Sequence, residues 1–325
     1  MGIKYLNRFL RENCKSSIKM ISMDELSGKK IAIDISIYLF KYSAEGCLIE
    51  NIYLMITIFK YYKIIPIFIF DGKPPAEKKE LLQKRKEDKR AAEKEYYYLQ
   101  KKILENKNMD EEEKQEIINN MDLLKRQFVS LNKEQIGEVK KLINVCGATY
   151  YEASGEADEL CASLVIKNEV WGCLSEDMDM FVYGCSRVIR YFSLLNHTVV
   201  LYDMEGILEQ LGITQKELRE ICVLSGTDYN INVDTAPILL STLKMFKKYM
   251  KKRENENIEF YDWLKNNTEY INDYDLLKKI NSMFDLTESN SYIIQDLENI
   301  RVGNNNSTYD KEMMNSILKK EGFIF

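Results

Sequence analysis

Two short apolar runs, each closing on an aspartate, restrict the fold of this chain more than any other feature. "KKIAID" ends at Asp34 and "IIPIFIFD" ends at Asp71. Short runs of this kind, rich in β-branched residues and apolar on both faces, belong to buried parallel strands. The segment between them, "ISIYLFKYSAEGCLIENIYLMITIFKYYK", is mostly helical in pattern. Strand, helix and strand in that order open an α/β sheet. "GATYYEA" and "WGCLSEDMD" repeat the theme, with "GEADELCASLVIKN" as the helix between them, and "RVIRYF" and "TVVLYD" read as later strands joined across "SLLNH". The expected fold class is therefore α/β, with a central, mostly parallel sheet flanked by helices.

From Pro75 to about Lys141 the texture changes to Ala, Lys, Glu, Gln and Leu without a strand signal. Two long helices are expected there, broken near "ENKNMDEEEK". A solvated, salt-bridged helical pair is the plain reading of such composition. After Asp203 the pattern is mainly helical, with "RVGNNNSTYD" as a loop and "KEMMNSILKKEGF" as a last short helix.

Composition narrows the chemistry. Among 325 residues, 45% are hydrophobic, 30% are charged and the formal net charge is −5, which suits a soluble protein with a sizeable core. No apolar run reaches the roughly 18–20 residues needed to span a bilayer, and "MGIKYLNRFL" has neither a signal-peptide core nor a myristoylation pattern. The seven cysteines are scattered and never spaced CxxC. They read as reduced thiols of an intracellular protein rather than a zinc site. The single histidine, His197 in "SLLNHTVVLYD", reads as a hairpin-turn residue. Enzymatic acid–base chemistry would then rest on carboxylates, lysines or water.

The carboxylates are where such chemistry concentrates. In open α/β sheets ligands bind beyond the carboxyl ends of the strands. Asp34 and Asp71 stand at two such ends, Glu156 and Asp158 open a helix, Asp177 and Asp179 follow "WGCL", and Asp228 lies in "VLSGTDYN" behind Gly226. Any single pair has a dull explanation, either a preference for a helix N-terminus or a solvated turn. Seven on one rim would repel one another without cations, and hard cations with oxygen ligands, Mg²⁺ or Mn²⁺, are the natural counter-charge. Two such ions about 4 Å apart suit phosphodiester cleavage. After Asp71 comes "GKPPAEKKELLQKRKEDKR", in which Lys78 and Arg85 are seven residues apart and share a helix face. That pair is either ordinary helix surface or a cationic clamp on a phosphodiester in its transition state.

With these segments in chain order, the sequence resembles the flap endonuclease / xeroderma pigmentosum G (XPG) family of structure-specific 5′ nucleases. The matching stretches are "MGI", "IAIDISIYLF", "FDGKPPAEKKELLQKR", "EASGEADELCASL", "SEDMDMFVYG" and "LSGTDY", over roughly residues 1–230. The resemblance implies a PIN-like 5′ nuclease fold with an inserted helical arch at about 75–140 and a helical C-terminal region. It divides the chain into an N-terminal nuclease region over 1–105, an internal nuclease region over 140–235 and C-terminal helices with a degenerate helix-turn-helix over 236–325. It implies a two-ion Mg²⁺ site, Mn²⁺ substituting, on Asp34, Asp71, Glu156, Asp158, Asp177, Asp179 and Asp228, with Lys78 and Arg85 as catalytic cations. It implies flapped or branched DNA as substrate, 5′ endo- and exonuclease activity, and a role in DNA replication, repair or recombination. Gly2 matches the family's N-terminal glycine near the active site, and Tyr38 matches a position where an aromatic stacks on DNA, although a core aromatic fits as well.

The departures matter too. Family members usually carry Glu where this chain has Asp158. The Gly-x-Gly turn that binds K⁺ and grips duplex is replaced by "INVDTAPILLSTLKMFKKYMKKR", with Asn232, Asp234 and Pro237 in place of the glycines. Lys244, Lys247 and Lys248 are expected to make only non-specific phosphate contacts. No clamp-binding motif follows "SILKKEGFIF", so a sliding clamp is not expected as a partner, nor is a membrane, and the chain is expected to be a monomer. The Lys-, Asn- and Ile-rich composition suits a large DNA virus or a parasite, which places the protein in the nucleus or at a cytoplasmic replication site. A four-way junction resolvase, an RNase of the wider fold group and a DNA-binding scaffold with a weakened site are the competing readings. All seven positions being acidic weighs against the scaffold.

Overall fold

The computed structural model describes residues 3–105, 111–229, 239–253, 258–286, 291–303 and 309–324. In chain order its elements are α1 (Leu6–Asn13), β1 (Ile18–Ser22), β2 (Lys30–Asp34), α2 (Ser36–Ala44), α3 (Leu48–Tyr61), β3 (Ile65–Phe70), α4 (Lys79–Glu105), α5 (Glu111–Phe128), α6 (Lys133–Val145), β4 (Thr149–Glu152), α7 (Ala157–Ile166) and β5 (Gly172–Leu174). There follow α8 (Asp179–Tyr183), β6 (Arg187–Ser193), β7 (Thr198–Asp203), α9 (Met204–Leu211), α10 (Gln215–Leu224), α11 (Leu239–Arg253), α12 (Phe260–Asn267), α13 (Tyr274–Met283), α14 (Ser291–Gly303) and α15 (Lys311–Lys320).

Among the described residues the strands form one sheet in the order β1-β7-β6-β5-β2-β3-β4. β6, β5, β2, β3 and β4 run parallel, while β7 pairs antiparallel with both β6 and β1. The expectation of a mostly parallel sheet is met, and the reason is visible in β2. Ile31, Ala32 and Ile33 are fully buried, as a strand covered on both faces requires. β1 has no counterpart in the sequence reading. It is an edge strand whose exposed Met20 and Lys19 interrupt the apolar run that marks buried strands. The β6–β7 hairpin places His197 in its turn at φ 49°, with the Tyr62 hydroxyl 3.1 Å from its Nδ1. That is the turn role expected of it.

α7 is buried along residues 157–165, so it lacks a polar face and carries Asp158 and Glu159 inward with its apolar side chains. Helices α9 to α14 add buried side chains to the same core. Thr214 caps α10 through a reciprocal bond pair with Glu217. Glu217 pairs with Arg253 of α11, Lys216 with Glu259 at the start of α12, and Arg219 with Asp285 after α13 at 2.6 Å. Phe246 and Tyr249 of α11 meet Phe260 of α12 at 5.0 and 5.2 Å between ring centroids. Among the described residues no helix is long and apolar enough to cross a membrane.

The chain divides into two compact units: Met1–Asp34, Ile58–Pro74 and Thr149–Asn306 in the first, and Ile35–Thr57, Pro75–Ala148 and Ser307–Phe325 in the second. The first contains the whole sheet. In the second, α4 and α5 pack along one another, with Tyr96 edge-on to Phe128 at 5.4 Å and Ala92, Ile117, Met121 and Leu124 buried. Where two helices were expected there are three among the described residues, because Asn132 caps a new helix, α6, through a bond from the Gln135 N–H at 2.8 Å. α15 joins α6 through the Asp310 N–H, 2.9 Å from the Val145 carbonyl. The expected helix break falls partly on 106–110, outside the described residues. The loop expected at "RVGNNNSTYD" begins later, since α14 runs on to Gly303.

Candidate active site

Four neighbouring parallel strands, β5, β2, β3 and β4, end on the same edge of the sheet, and each delivers a carboxylate there. β2 ends on Asp34, β3 leads into Asp71, β4 leads through 153–155 to Glu156, and β5 leads through Ser175 to Asp177. Parallel pairing makes this a consequence of register. Asp34 stands opposite Ile69, Ile33 opposite Leu174 and Phe70 opposite Glu152. Strands in this register and direction carry their next residues to one rim.

Hydrogen bonds tie the rim together. The Ser175 hydroxyl donates to Asp34 Oδ2 at 2.9 Å and accepts the Asp177 N–H at 3.1 Å. Asp177 Oδ1 accepts the Asp179 N–H at 3.0 Å. Asp71, which is exposed, accepts the Ala157 N–H at 2.9 Å, so the first turn of α7 orients it. Glu156 accepts the Tyr229 hydroxyl at 2.7 Å, which brings in the segment carrying Asp228. That segment turns at Gly226, φ +102°, a conformation suited to glycine. Asp158 Oδ1 accepts the N–H of Glu159 at 2.7 Å, and Glu159 is itself buried. Asp34, Asp158 and Asp177 are buried, and Asp179 is 0% exposed.

The groups around this rim register its negative charge. Burial pushes the Tyr183 hydroxyl well above its usual range, and Asp158, Tyr229, Glu159 and Asp179 push it further. Tyr229 is raised by burial and then by Glu156 and Asp158. Burial raises the Cys222 thiol and Asp179 adds to it. Cys161 is raised by burial, its bond with Cys173, and then by Asp34 and Asp158. These neighbours therefore remain protonated donors at neutral pH.

The "SEDMD" stretch resolves into two roles that its spacing does not separate. Asp177 and Asp179 face the rim, whereas Glu176 is tied to β6. Its Oε2 lies 3.4 Å from Arg190 Nε, its Oε1 accepts the Tyr191 N–H at 2.5 Å, and its carbonyl accepts from Arg190 at 2.8 Å. Arg190 is 6% exposed and lies over the Tyr191 ring at 5.0 Å. A buried arginine with this carboxylate fixes the loop that presents Asp177.

The donor set at the rim is all oxygen, as a hard divalent cation requires. Among the described residues, no three His, Cys, Asp or Glu side chains gather tightly enough to hold an ion by protein atoms alone. That arrangement still fits Mg²⁺, which keeps several waters and takes only one or two carboxylates directly.

The other expected site residues stand on other elements. Lys78 and Arg85 belong to the second unit. Lys78 closes a 3₁₀ turn, Ala76–Lys78, that follows Pro75, extended at ψ 154°, and directly precedes α4. Lys78 is 6% exposed and Arg85, on α4, is half-buried. Tyr38 is 2% exposed and packs on Tyr42 at 5.9 Å. Of its two readings the structure displays the core one. Lys244, Lys247 and Lys248 are exposed on α11, opposite buried Phe246 and Tyr249. Gly2, Asn232, Asp234 and Pro237 lie outside the described residues. Sequence reasoning missed Ser175, Tyr229, Glu159 and Arg190. The signal for Arg190 was a cation set among apolar and aromatic neighbours within a strand, "RVIRYF".

Two family models match this chain, the XPG N-terminal domain over residues 1–92 and the XPG I-region over residues 147–228, together more than half of it. Flap endonuclease 1 of Entamoeba histolytica is 32% identical over 248 residues, 70% of this chain and 62% of that protein. The chain spans about three-fifths of the length of the curated relatives it matches. The catalytic core of Rad2 in complex with DNA substrate superposes with a TM-score of 0.59 at 22% identity, covering 99% of this chain and 95% of that one. Flap endonuclease-1 from Methanococcus jannaschii gives 0.55 at 22% identity, covering 93% and 94%. At these identities the likeness establishes the fold, a mixed sheet flanked by helices with a helical C-terminal region. The seven acids singled out in the sequence, Lys78 and Arg85 all fall inside the two matched segments.

Proposed function

The chain belongs to the XPG family, and from that premise we propose that it is a metal-dependent, structure-specific nuclease that hydrolyses DNA phosphodiesters at 5′ flaps, by endo- and 5′-3′ exonuclease action, in DNA replication, repair or recombination. The observation that carries this reading is the row of four adjacent parallel strands, each leading to a carboxylate at the same edge of the sheet. Asp34, Asp71, Glu156, Asp158, Asp177, Asp179 and Asp228 would hold two Mg²⁺ ions, with Mn²⁺ able to substitute. Bound there, such ions supply Lewis acidity and lower the pKa of a coordinated water.

This chain's own residues prepare that chemistry. Ser175, the Ala157 N–H and Tyr229 donate to Asp34, Asp71 and Glu156, and fix which oxygens remain for a cation. Tyr229 stays protonated beside Glu156 and Asp158 and so keeps its donor role. Lys78 and Arg85 take the part of cations that neutralise phosphoryl oxygens as charge builds. Lys244, Lys247 and Lys248 contribute sequence-neutral phosphate contacts. The protein acts as a monomer within the nucleus or at a cytoplasmic replication site. End-labelled flap, nicked, gapped and four-way DNAs, incubated with Mg²⁺ and with EDTA, test the proposal. Mg²⁺-dependent cleavage near the flap base is expected. Cleavage confined to four-way junctions would make it a resolvase, and binding without any cleavage would leave a scaffold.

A further inference from the structure

α14 lies outside both matched segments, yet one of its carboxylates reaches the loop that carries Glu156. Asp296 is 2% exposed. Its Oδ2 accepts the Ser154 N–H at 2.8 Å, and its Oδ1 accepts the Ser154 hydroxyl at 2.6 Å and the Tyr151 hydroxyl at 3.0 Å. The opposite side of the same loop is fastened to the end of β3. The Ala153 N–H reaches the Phe70 carbonyl at 2.9 Å, and the Gly72 N–H reaches the Gly155 carbonyl at 2.8 Å. The approach is so close that a Cβ on Gly72 would sit 1.8 Å from the Ala153 oxygen. Residues 153–155 are thus clamped between β3 and α14, and Glu156 and the Ala157 N–H that orients Asp71 follow directly.

We propose that Asp296 is a positioning residue for the carboxylate rim: it holds the 153–155 loop so that Glu156 and Asp71 keep a common geometry toward a divalent cation. The inference rests on the metal reading of the rim. A buried carboxylate gathering three donors is rigid, and an asparagine in its place would offer one acceptor oxygen and an amide instead of the second. Residues that orient ligands in this way typically change metal affinity by 10–100-fold when altered.

The test is Mn²⁺ titration of the full chain without DNA, followed by electron paramagnetic resonance, with Asp177→Ala defining the fraction bound at the rim. Asp296→Asn should weaken that fraction about tenfold. Leu297→Ala, a core truncation on the same helix, should lower the melting temperature and leave Mn²⁺ affinity at the wild-type value. Should Asp296→Asn fail to fold, Ser154→Ala and Tyr151→Phe each remove one donor and should weaken Mn²⁺ several-fold. Wild-type Mn²⁺ affinity in the folded latch variants, or an equal loss in Leu297→Ala, would overturn the proposal. If wild type binds no Mn²⁺ that Asp177→Ala abolishes, the metal reading fails and the latch falls with it.

Discussion

Replacing Glu220 by Gln should stabilise the protein above neutral pH and leave its stability in acid unchanged. Glu220 lies on α10, the helix that leads to Asp228, and it is buried. Burial raises its carboxyl from 4.5 to about 7, Lys216 and Arg219 oppose the rise, and Glu259 and Glu217 add to it. The folded-state pKa lies above the unfolded one, so the native protein holds a proton that the unfolded chain releases. The stabilisation this proton represents is complete below about pH 4.5 and is lost as pH rises through about 7. At 1.36 kcal/mol per pKa unit, the shift amounts to about 3 kcal/mol. Glutamine mimics the protonated side chain and keeps that contribution at every pH. Urea unfolding of both proteins between pH 4 and pH 9 measures the difference directly. It should be near zero at pH 4, grow across pH 5–7 and level off near 3 kcal/mol above it. Parallel stability profiles, or a variant weaker than wild type at pH 8, would refute the reasoning. Single-turnover cleavage should be unchanged, which separates this scaffold acid from those on the rim.

Four further outcomes are expected. Asp177→Ala and Asp179→Ala should each abolish cleavage, leave flap binding largely intact and raise the melting temperature in metal-free buffer, because removing a rim charge relieves repulsion; normal turnover in both would remove them from the metal site. Lys78→Ala and Arg85→Ala should slow single-turnover cleavage at saturating enzyme far more than they weaken binding, and a change in affinity alone would reassign the pair to substrate positioning. Lys244, Lys247 and Lys248 changed together to Ala should reduce the salt dependence of nicked-duplex binding by a log–log slope of about 2–3. Titrating K⁺ against Na⁺ at constant ionic strength should then produce no K⁺-specific gain, whereas a clear gain would establish an ion site after Asp228.

The parallel sheet and its acidic rim were legible in the sequence because both are local signals carried in order. Apolar runs such as "KKIAID" mark strands buried on both faces, and the residue closing each run must stand at a strand end. Parallel neighbours then send those ends to one edge, so Asp34, Asp71, Glu156 and Asp177 could be grouped before any coordinates. β1 was not legible, because an edge strand has solvent on one side and its residues 18–22 mix exposed and half-buried positions. Nor was α6, whose start depends on a capping bond at Asn132 rather than on a change of composition. Spacing could not divide "SEDMD". Glu176, Asp177 and Asp179 have the same chemistry along the chain, and only the arrival of Arg190 from β6 turns Glu176 into a structural partner. Asp296 is the extreme case, 142 residues from Ser154 and invisible as its partner until α14 packs against α7. The sequence by itself determined which acids stand at element ends, since that follows from backbone periodicity. Tertiary structure alone decided which donor each acid meets, since hydrogen bonds between distant segments depend on how the elements pack and leave no periodic trace in the chain.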